Sequence, residues 1–250
     1  MLNKDTSYHL IVVGTGGTGT TFLRDVGRYI DNKMLTPSGC PIGLVSLIDG
    51  DIVEEKNIER QIFYQRHIGL NKAVAMEQML HKSYPNVKMQ AFGSYLTSIE
   101  QIEAIVSSSD NPKMIPLIVG CVDNHACRIL LEEYFDMLDD CIYFDSGNEY
   151  CTGEVVMAYK FGGKVYSPVK SVWFPEIKNG DLRPVTEMSC TELNTVDPQH
   201  PLVNIMAGGV LNSAVVNLCE GRAKYSVVYF DAQEFQQTAV PINISTKGEL

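Results

Sequence analysis

Tyr8 to Val13 form a short apolar run, rich in β-branched residues, that stops at Gly14-Thr15-Gly16-Gly17-Thr18-Gly19. Beyond the glycines, Phe22, Leu23, Val26 and Ile30 recur at helical spacing. A buried strand is therefore predicted to turn through glycine into a helix over about Gly17 to Tyr29. A helix that follows a strand this directly packs back on the sheet, which commits the chain to an α/β architecture. With no Cβ atoms in the way, backbone N–H groups and the helix N-terminus can approach an anion, and a nucleotide phosphate is the natural guest. The glycine run alone fits the fingerprint of NAD and FAD proteins equally well, and it also suits a plain tight turn with close helix packing.

The alternation continues downstream. Ile42 to Ile48 reads as a strand ending at Asp49-Gly50-Asp51, after a loop over Asp31 to Pro41. Helical patterns over Asn71 to Tyr84, Ile99 to Val106 and Asn124 to about Leu138 are interleaved with strands at Val87 to Phe92, Met114 to Val119 and Cys141 to Phe144. A Rossmann-like, doubly wound, mainly parallel sheet follows from this order. Past Gly147 the pattern changes to a strand at Gly153 to Lys160 and a long crossover loop from Phe161 to Pro198. A helix from about Pro201 to Glu220 and a strand from Tyr225 to Phe230 close the fold. The 250 residues suit a single domain, 1–250, with a nucleotide-binding half at about 8–147 and a second half at about 148–250.

A formal charge of -10 argues against a nucleic-acid partner, which needs a concentrated field of Lys and Arg. Seven cysteines, odd in number and without a C-x-x-C pair, fit neither a disulfide framework nor a four-cysteine zinc site. Met1 to Tyr8 lack the apolar run of a signal peptide, and no segment is expected to approach the roughly 20 apolar residues of a membrane span. The expected location is the cytoplasm.

Asp49 and Asp51 stand where a carboxylate accepts hydrogen bonds from ribose hydroxyls, and either can do so. Asn57, Arg60 and Gln61 follow at once, then Lys72 at the start of a helix. Hydride transfer has no use for this group. Attack by a carboxylate on an α-phosphate does, because it builds negative charge that Arg60 and Lys72 can stabilise while Mg²⁺ screens the triphosphate. Asp123, just past the strand ending at Val119, is placed to hold that metal directly or through water. Singly, each has a plain alternative: an acidic turn at Asp49-Asp51, a solvated face at Arg60-Gln61, a helix cap at Asp123-Asn124.

In order, these motifs resemble the ThiF/MoeB/HesA superfamily, which includes the ubiquitin-activating enzymes. The likeness runs from Tyr8 to about Val156 and rests on G-x-G-G-x-G at Gly14, Gly16, Gly17 and Gly19, D-x-D at Asp49 and Asp51, N-x-x-R-Q at Asn57, Arg60 and Gln61, Lys72, and Asp123. The resemblance implies that Asp51, Asn57, Arg60, Gln61 and Lys72 contact ATP, that Asp123 serves Mg²⁺, and that the substrate is the C-terminal carboxylate of a small ubiquitin-like or sulfur-carrier protein. Phe144-Asp145-Ser146-Gly147-Asn148 with Gly153-Glu154-Val155-Val156 is similar to a family segment in which a strand turns at D-x-G-N beside the carrier tail. An oxidoreductase that binds a dinucleotide and a non-catalytic scaffold of the same fold are the rival readings.

Ser189-Cys190-Thr191-Glu192, followed by Gln199 and Asn204, resembles the crossover region in which many relatives carry a thioester or persulfide cysteine, and is similar to the plasmid-associated PRTRC subgroup. Cys190 is accordingly a candidate nucleophile, with a small buried cysteine as its plain alternative. The likeness further implies a homodimer and a neighbouring JAB-type metallopeptidase. Relatives often bring an N-terminal arginine to a partner's ATP site, and this chain lacks that helix; Arg24, Arg28 or another protein is expected to complete the pyrophosphate side.

Overall fold

A computed structural model describes residues 6–179 and 201–242. In chain order the elements are β1 (Tyr8–Val13), α1 (Gly17–Met34), β2 (Ile42–Ile48), α2 (Lys72–Ser83), β3 (Met89–Phe92), α3 (Ile99–Val106), β4 (Ile115–Gly120), α4 (His125–Met137), β5 (Cys141–Asn148), β6 (Thr152–Phe161), β7 (Lys164–Ser167), α5 (Lys170–Trp173), α6 (Pro201–Cys219), β8 (Tyr225–Asp231) and β9 (Gln236–Pro241). They build one nine-stranded sheet in the order β3-β2-β1-β4-β5-β6-β8-β9, with β7 paired to β6. Strands β1 to β5 run parallel, and β6 to β9 are antiparallel to their neighbours.

β1 is buried along its whole length because it lies between β2 and β4 with a helical layer on each face. The period-two alternation of a strand divides its residues between the layers. Leu10 and Val12 join Phe22, Val26, Ala75, Leu211 and Val215 on one side, in a core with α1, α2 and α6. Ile11 and Val13 join Ile102, Ile118, Leu131 and Phe135 on the other, against α3 and α4. Each of the larger side chains contributes roughly 1.5–3 kcal/mol by leaving water.

β1 is followed by α1 on one face, and β4 by α4 on the other. The chain therefore changes direction across the sheet between β1 and β4, the neighbouring strands at its centre. A crevice opens at the carboxyl ends of strands around such a point, and it is where ligands of open α/β sheets bind.

Four expectations need correction. Helix α1 runs on to Met34, because Asp31, Asn32 and Lys33 continue its solvent side; Asp31 also receives the backbone N–H of Asn86 at 3.1 Å. Asp145 to Asn148 form no turn: pairing with β6 extends β5 through Asn148, opposite Gly153. The expected loop from Phe161 begins instead with β7, α5 and a 3-10 turn at Pro175–Asn179, and β9 adds an edge strand where none was expected. Finally, α6 has the length and apolarity of a membrane span by composition, yet it packs along α1 and the sheet, burying Val203, Ala207, Leu211, Val215 and Leu218 as a core helix.

Candidate functional site

The glycine loop is shaped by close approach. Gly14 has φ +92°, and a Cβ there would stand 2.5 Å from the carbonyl oxygen of Cys121, so only glycine lets the end of β1 nest against the end of β4. Gly19 similarly faces the carbonyl of Gly14, which allows α1 to rise directly from the loop. Gly16 caps α1 without a side-chain hydrogen bond, and the first turn holds no acidic residue. The positive end of the helix dipole is thus left for an anion.

The two aspartates at the end of β2 have different surroundings. Asp49 turns inward: its Oδ2 accepts from Thr15 N at 2.6 Å and Thr15 Oγ1 at 2.9 Å, and its Oδ1 accepts from Asp51 N at 2.9 Å. Burial pushes its carboxyl up despite those donors and the Lys72 charge. Asp51 faces the cleft with its side chain 44% exposed, and Lys72 Nζ donates to its Oδ2 at 2.6 Å. The Tyr95 hydroxyl donates to Oδ1. Burial works against the charge on Asp51, but Lys72 and these hydrogen bonds outweigh it and hold the carboxyl below its usual range. Asn71 caps α2 through Val74 N at 3.2 Å and binds the carbonyls of Asp49 and Asp51 at 2.8 and 3.0 Å, which fixes the buried Lys72 in place.

Asn57 is buried and accepts from Glu54 N at 2.8 Å, tightening the turn that presents Arg60 and Gln61. Arg60 is exposed at the cleft and has no ion pair among the described residues. The Gln61 amide nitrogen lies beside Gly16, 3.7 Å from where a Cβ would be, and its Oε1 is buried without a hydrogen-bond partner among the described residues. Asp123 is exposed at the opposite wall, beyond β4, and Asn124 caps α4 through Cys127 N at 2.9 Å. A cleft of about 1430 Å³ joins Gly14, Gly16, Gly17, Asp49, Asp51, Asn57, Arg60, Gln61, Lys72 and Asp123. Among the described residues no three metal-ligating side chains converge.

Two expectations fall away or lie out of reach. Arg24 and Arg28 are absent from the cleft lining, and Arg24 pairs with Asp25 at 2.7 Å. At 1.5 Å per residue they stand roughly 10 and 16 Å along α1 from its N-terminus, too far to complete a phosphate site there. Cys190, with Gln199, lies outside the described residues.

The floor of the cleft holds a charged cluster in which Arg128 and Lys170 are the members that the sequence pattern did not single out. Asp145, fully buried, accepts from Arg128 Nε at 3.1 Å and from Lys170 Nζ at 3.0 Å; Lys170 also meets Glu154 at 2.8 Å. Burial alone would raise the Asp145 carboxyl, but Lys170 and Arg128 hold it below the usual range. Thr18, Asn148 and Asn204 meet nearby, with Thr18 Oγ1 donating to Asn204 Oδ1 at 2.9 Å and Asn148 Nδ2 donating to Thr18 Oγ1 at 2.8 Å. The start of α6 is thereby fastened to the glycine loop. Arg128 lies on a predicted helix, in its first turns; Lys170 lies on a four-residue helix inside an expected loop, where the sequence had no signal.

A ThiF family profile matches residues 2–247. The chain belongs to the ThiF family. Ubiquitin-like modifier-activating enzyme 5 of Arabidopsis thaliana is 29% identical over 135 residues, covering 50% of this chain and 29% of the relative. The Gallus gallus enzyme of the same name is 28% identical over 149 residues, covering 58% of this chain and 34% of the relative. This ThiF family chain therefore spans about a third of the length of the curated relatives it matches. Among solved structures, PaaA superposes with a TM-score of 0.63 at 19% identity, and E. coli MccB with ATP with a TM-score of 0.66 at 15% identity; each match covers 96% of this chain and 65% of the other. At these identities they show the shared Rossmann-like fold.

Proposed function

We propose that this ThiF family chain adenylates the C-terminal carboxylate of a small ubiquitin-like or sulfur-carrier protein with ATP and releases pyrophosphate. The observation that carries the reading is the convergence, on one cleft, of an uncapped helix N-terminus behind a glycine loop, the Asp51–Lys72 pair, and the exposed Arg60 and Asp123. The likeness to ubiquitin-like modifier-activating enzymes supports it, as do solved structures of MccB with ATP and with MccA.

In this reading the phosphates lie against Gly16 and Gly17 at the start of α1, and Asp51 accepts hydrogen bonds from the ribose, since the Asp49 oxygens are already engaged with Thr15 and Asp51 N. The Gln61 amide nitrogen beside Gly16 adds a donor for the phosphate oxygens. As the carrier carboxylate attacks the α-phosphorus and the bond to pyrophosphate breaks, Arg60 and Lys72 stabilise the charge that develops on the phosphate oxygens. Magnesium, when bound, screens the triphosphate, with Asp123 as its protein carboxylate. The same proposal includes a homodimer, a JAB-type metallopeptidase as a neighbouring partner, a cytoplasmic setting and subsequent transfer of the acyl group to Cys190.

The test is carrier-dependent exchange between ATP and labelled pyrophosphate, together with melting of the protein in ATP or NAD. A ligand that binds only the folded state raises its melting temperature. Stabilisation by ATP with exchange supports adenylation. Stabilisation by NAD alone assigns a dinucleotide enzyme, and ATP binding without exchange in the presence of a carrier assigns a scaffold.

A further inference from the structure

Beyond β3 the chain crosses the carboxyl end of β2 as Gly93-Ser94-Tyr95-Leu96. Phe92 still accepts from Asp49 N at 3.2 Å, and Leu96 is buried in the core beneath α3, so the segment is pinned on both sides of Tyr95. The ring of Tyr95 lies directly over Gly50, where any Cβ would fall well inside contact distance of its carbons. Its hydroxyl donates to Asp51 Oδ1, while Lys72 Nζ donates to Oδ2 at 2.6 Å. The carboxylate at the end of β2 is therefore clamped from opposite sides, and the glycine at position 50 is the space that the clamp requires.

A carboxylate offers about four acceptor positions. Tyr95 and Lys72 take one on each oxygen, which leaves one on each for an outside donor, and Asp51 lines the cleft. Two donors on adjacent carbons, spaced to meet the two oxygens of one carboxylate, describe a ribose cis-diol. We infer that Tyr95 sets the sugar selectivity of the nucleotide site, by holding Asp51 in the orientation that accepts both ribose hydroxyls. The inference rests on the adenylation reading and adds a positioning residue to it. Tyr95 does not touch the reacting atoms. Without its hydroxyl, Asp51 keeps the Lys72 contact but is free to turn about it, and one of the two acceptors no longer stays aligned. Burial, and then the neighbouring Asp51 charge, raise the pKa of the phenol further above its ordinary value, so it stays a donor wherever the protein is assayed.

The experiment measures dissociation constants of ATP, 2′-deoxyATP and 3′-deoxyATP by calorimetry for the parent, Tyr95→Phe and Gly50→Ala, each checked by thermal melting. Gly50 is absent from the glycines with positive φ, so alanine suits its backbone while forcing the Tyr95 ring off Asp51. The parent is expected to prefer ATP over either deoxy analogue by about tenfold or more, the scale of a hydrogen bond to a charged group. In both variants the preference should fall to about threefold or less, through weaker ATP binding, with kcat for pyrophosphate exchange near the parent value. A merely structural Tyr95 would change melting and leave the ratio alone. An unchanged ratio in both folded variants, or a parent that binds ATP without discriminating, overturns the role of Tyr95 alone. A parent that binds no adenine nucleotide overturns the adenylation reading and this inference together.

Discussion

Lys170 and Asp145 form an ion pair of 3.0 Å in which the side chains are 4% and 1% exposed. Arg128 and Glu154 complete the cluster, so two cations face two carboxylates at the floor of the cleft. Lys170 belongs to α5, and its pair ties that short helix to the end of β5. Removing Lys170 leaves Asp145 with Arg128 and takes the paired cation from Glu154, and taking one member out of a buried charge cluster costs far more than the net worth of a pair. Lys170→Met should therefore lower the unfolding free energy by about 3 kcal/mol in urea titration. A loss below about 1 kcal/mol would mean that water reaches Asp145 and that the cluster does not anchor α5.

His9 is the second residue of β1, 1% exposed, with Nε2 2.6 Å from Ser46 Oγ, and Gln90 donates to the same hydroxyl at 2.8 Å. Burial lowers its pKa from 6.5 to about 4. The unfolded chain thus takes up a proton near 6.5, whereas the folded chain resists until about 4, so protonation favours unfolding across that window. His9 should contribute a loss of up to about 3 kcal/mol as pH falls from 6.5 to 4. His9→Gln, neutral throughout, should not show this loss. Parallel stability-pH curves for parent and variant would place the acid sensitivity in other groups.

The strands β1 and β2 and the helix α3 have the bounds that their sequence patterns predict, because their burial is dictated by local apolar runs and helical period. β9 had no such signal: Gln236 to Thr238 are exposed, and the strand exists through its ladder with β8, a tertiary effect. The site divides in the same way. Asp51 and Lys72 were legible because a strand end and a helix start position them. Tyr95 and Lys170 were not, since each acquires its partner only when the sheet brings residues 44 and 25 positions apart together.

Arg60 is exposed and without an ion pair among the described residues, so its removal should leave the fold within about 0.5 kcal/mol of the parent. Pyrophosphate exchange should nonetheless fall roughly a hundredfold or more in Arg60→Ala, the scale of one preorganised charge contact to a transition state. Undiminished exchange in a folded variant would remove Arg60 from the chemistry.

Asp123→Asn keeps the shape of the cleft wall but removes the charge that a magnesium ion needs. The exposed position predicts an unchanged melting temperature in metal-free buffer. Exchange should then require far more magnesium to reach half its maximum. A variant with the same magnesium dependence as the parent would show that the metal is held without Asp123.

Cys190 lies outside the described residues, in the stretch of chain between the 3-10 turn that ends at Asn179 and helix α6. Adenylation requires no thiol, so a nucleophilic Cys190 would act only after the adenylate has formed, and mutation should separate the two half-reactions. Cys190→Ala should leave pyrophosphate exchange nearly intact while abolishing any covalent carrier adduct. A cysteine that merely fills space would instead lower the melting temperature through lost packing, with exchange falling only as far as the fold does. Both quantities are needed, because exchange alone cannot separate a silent nucleophile from an irrelevant residue. The direct measurement is mass spectrometry of the parent after incubation with ATP, magnesium and an exchanging carrier, quenched without reductant. A thiol-sensitive adduct on Cys190 supports covalent transfer. Its absence, with exchange proceeding, assigns an enzyme that stops at the adenylate and passes it to a separate nucleophile.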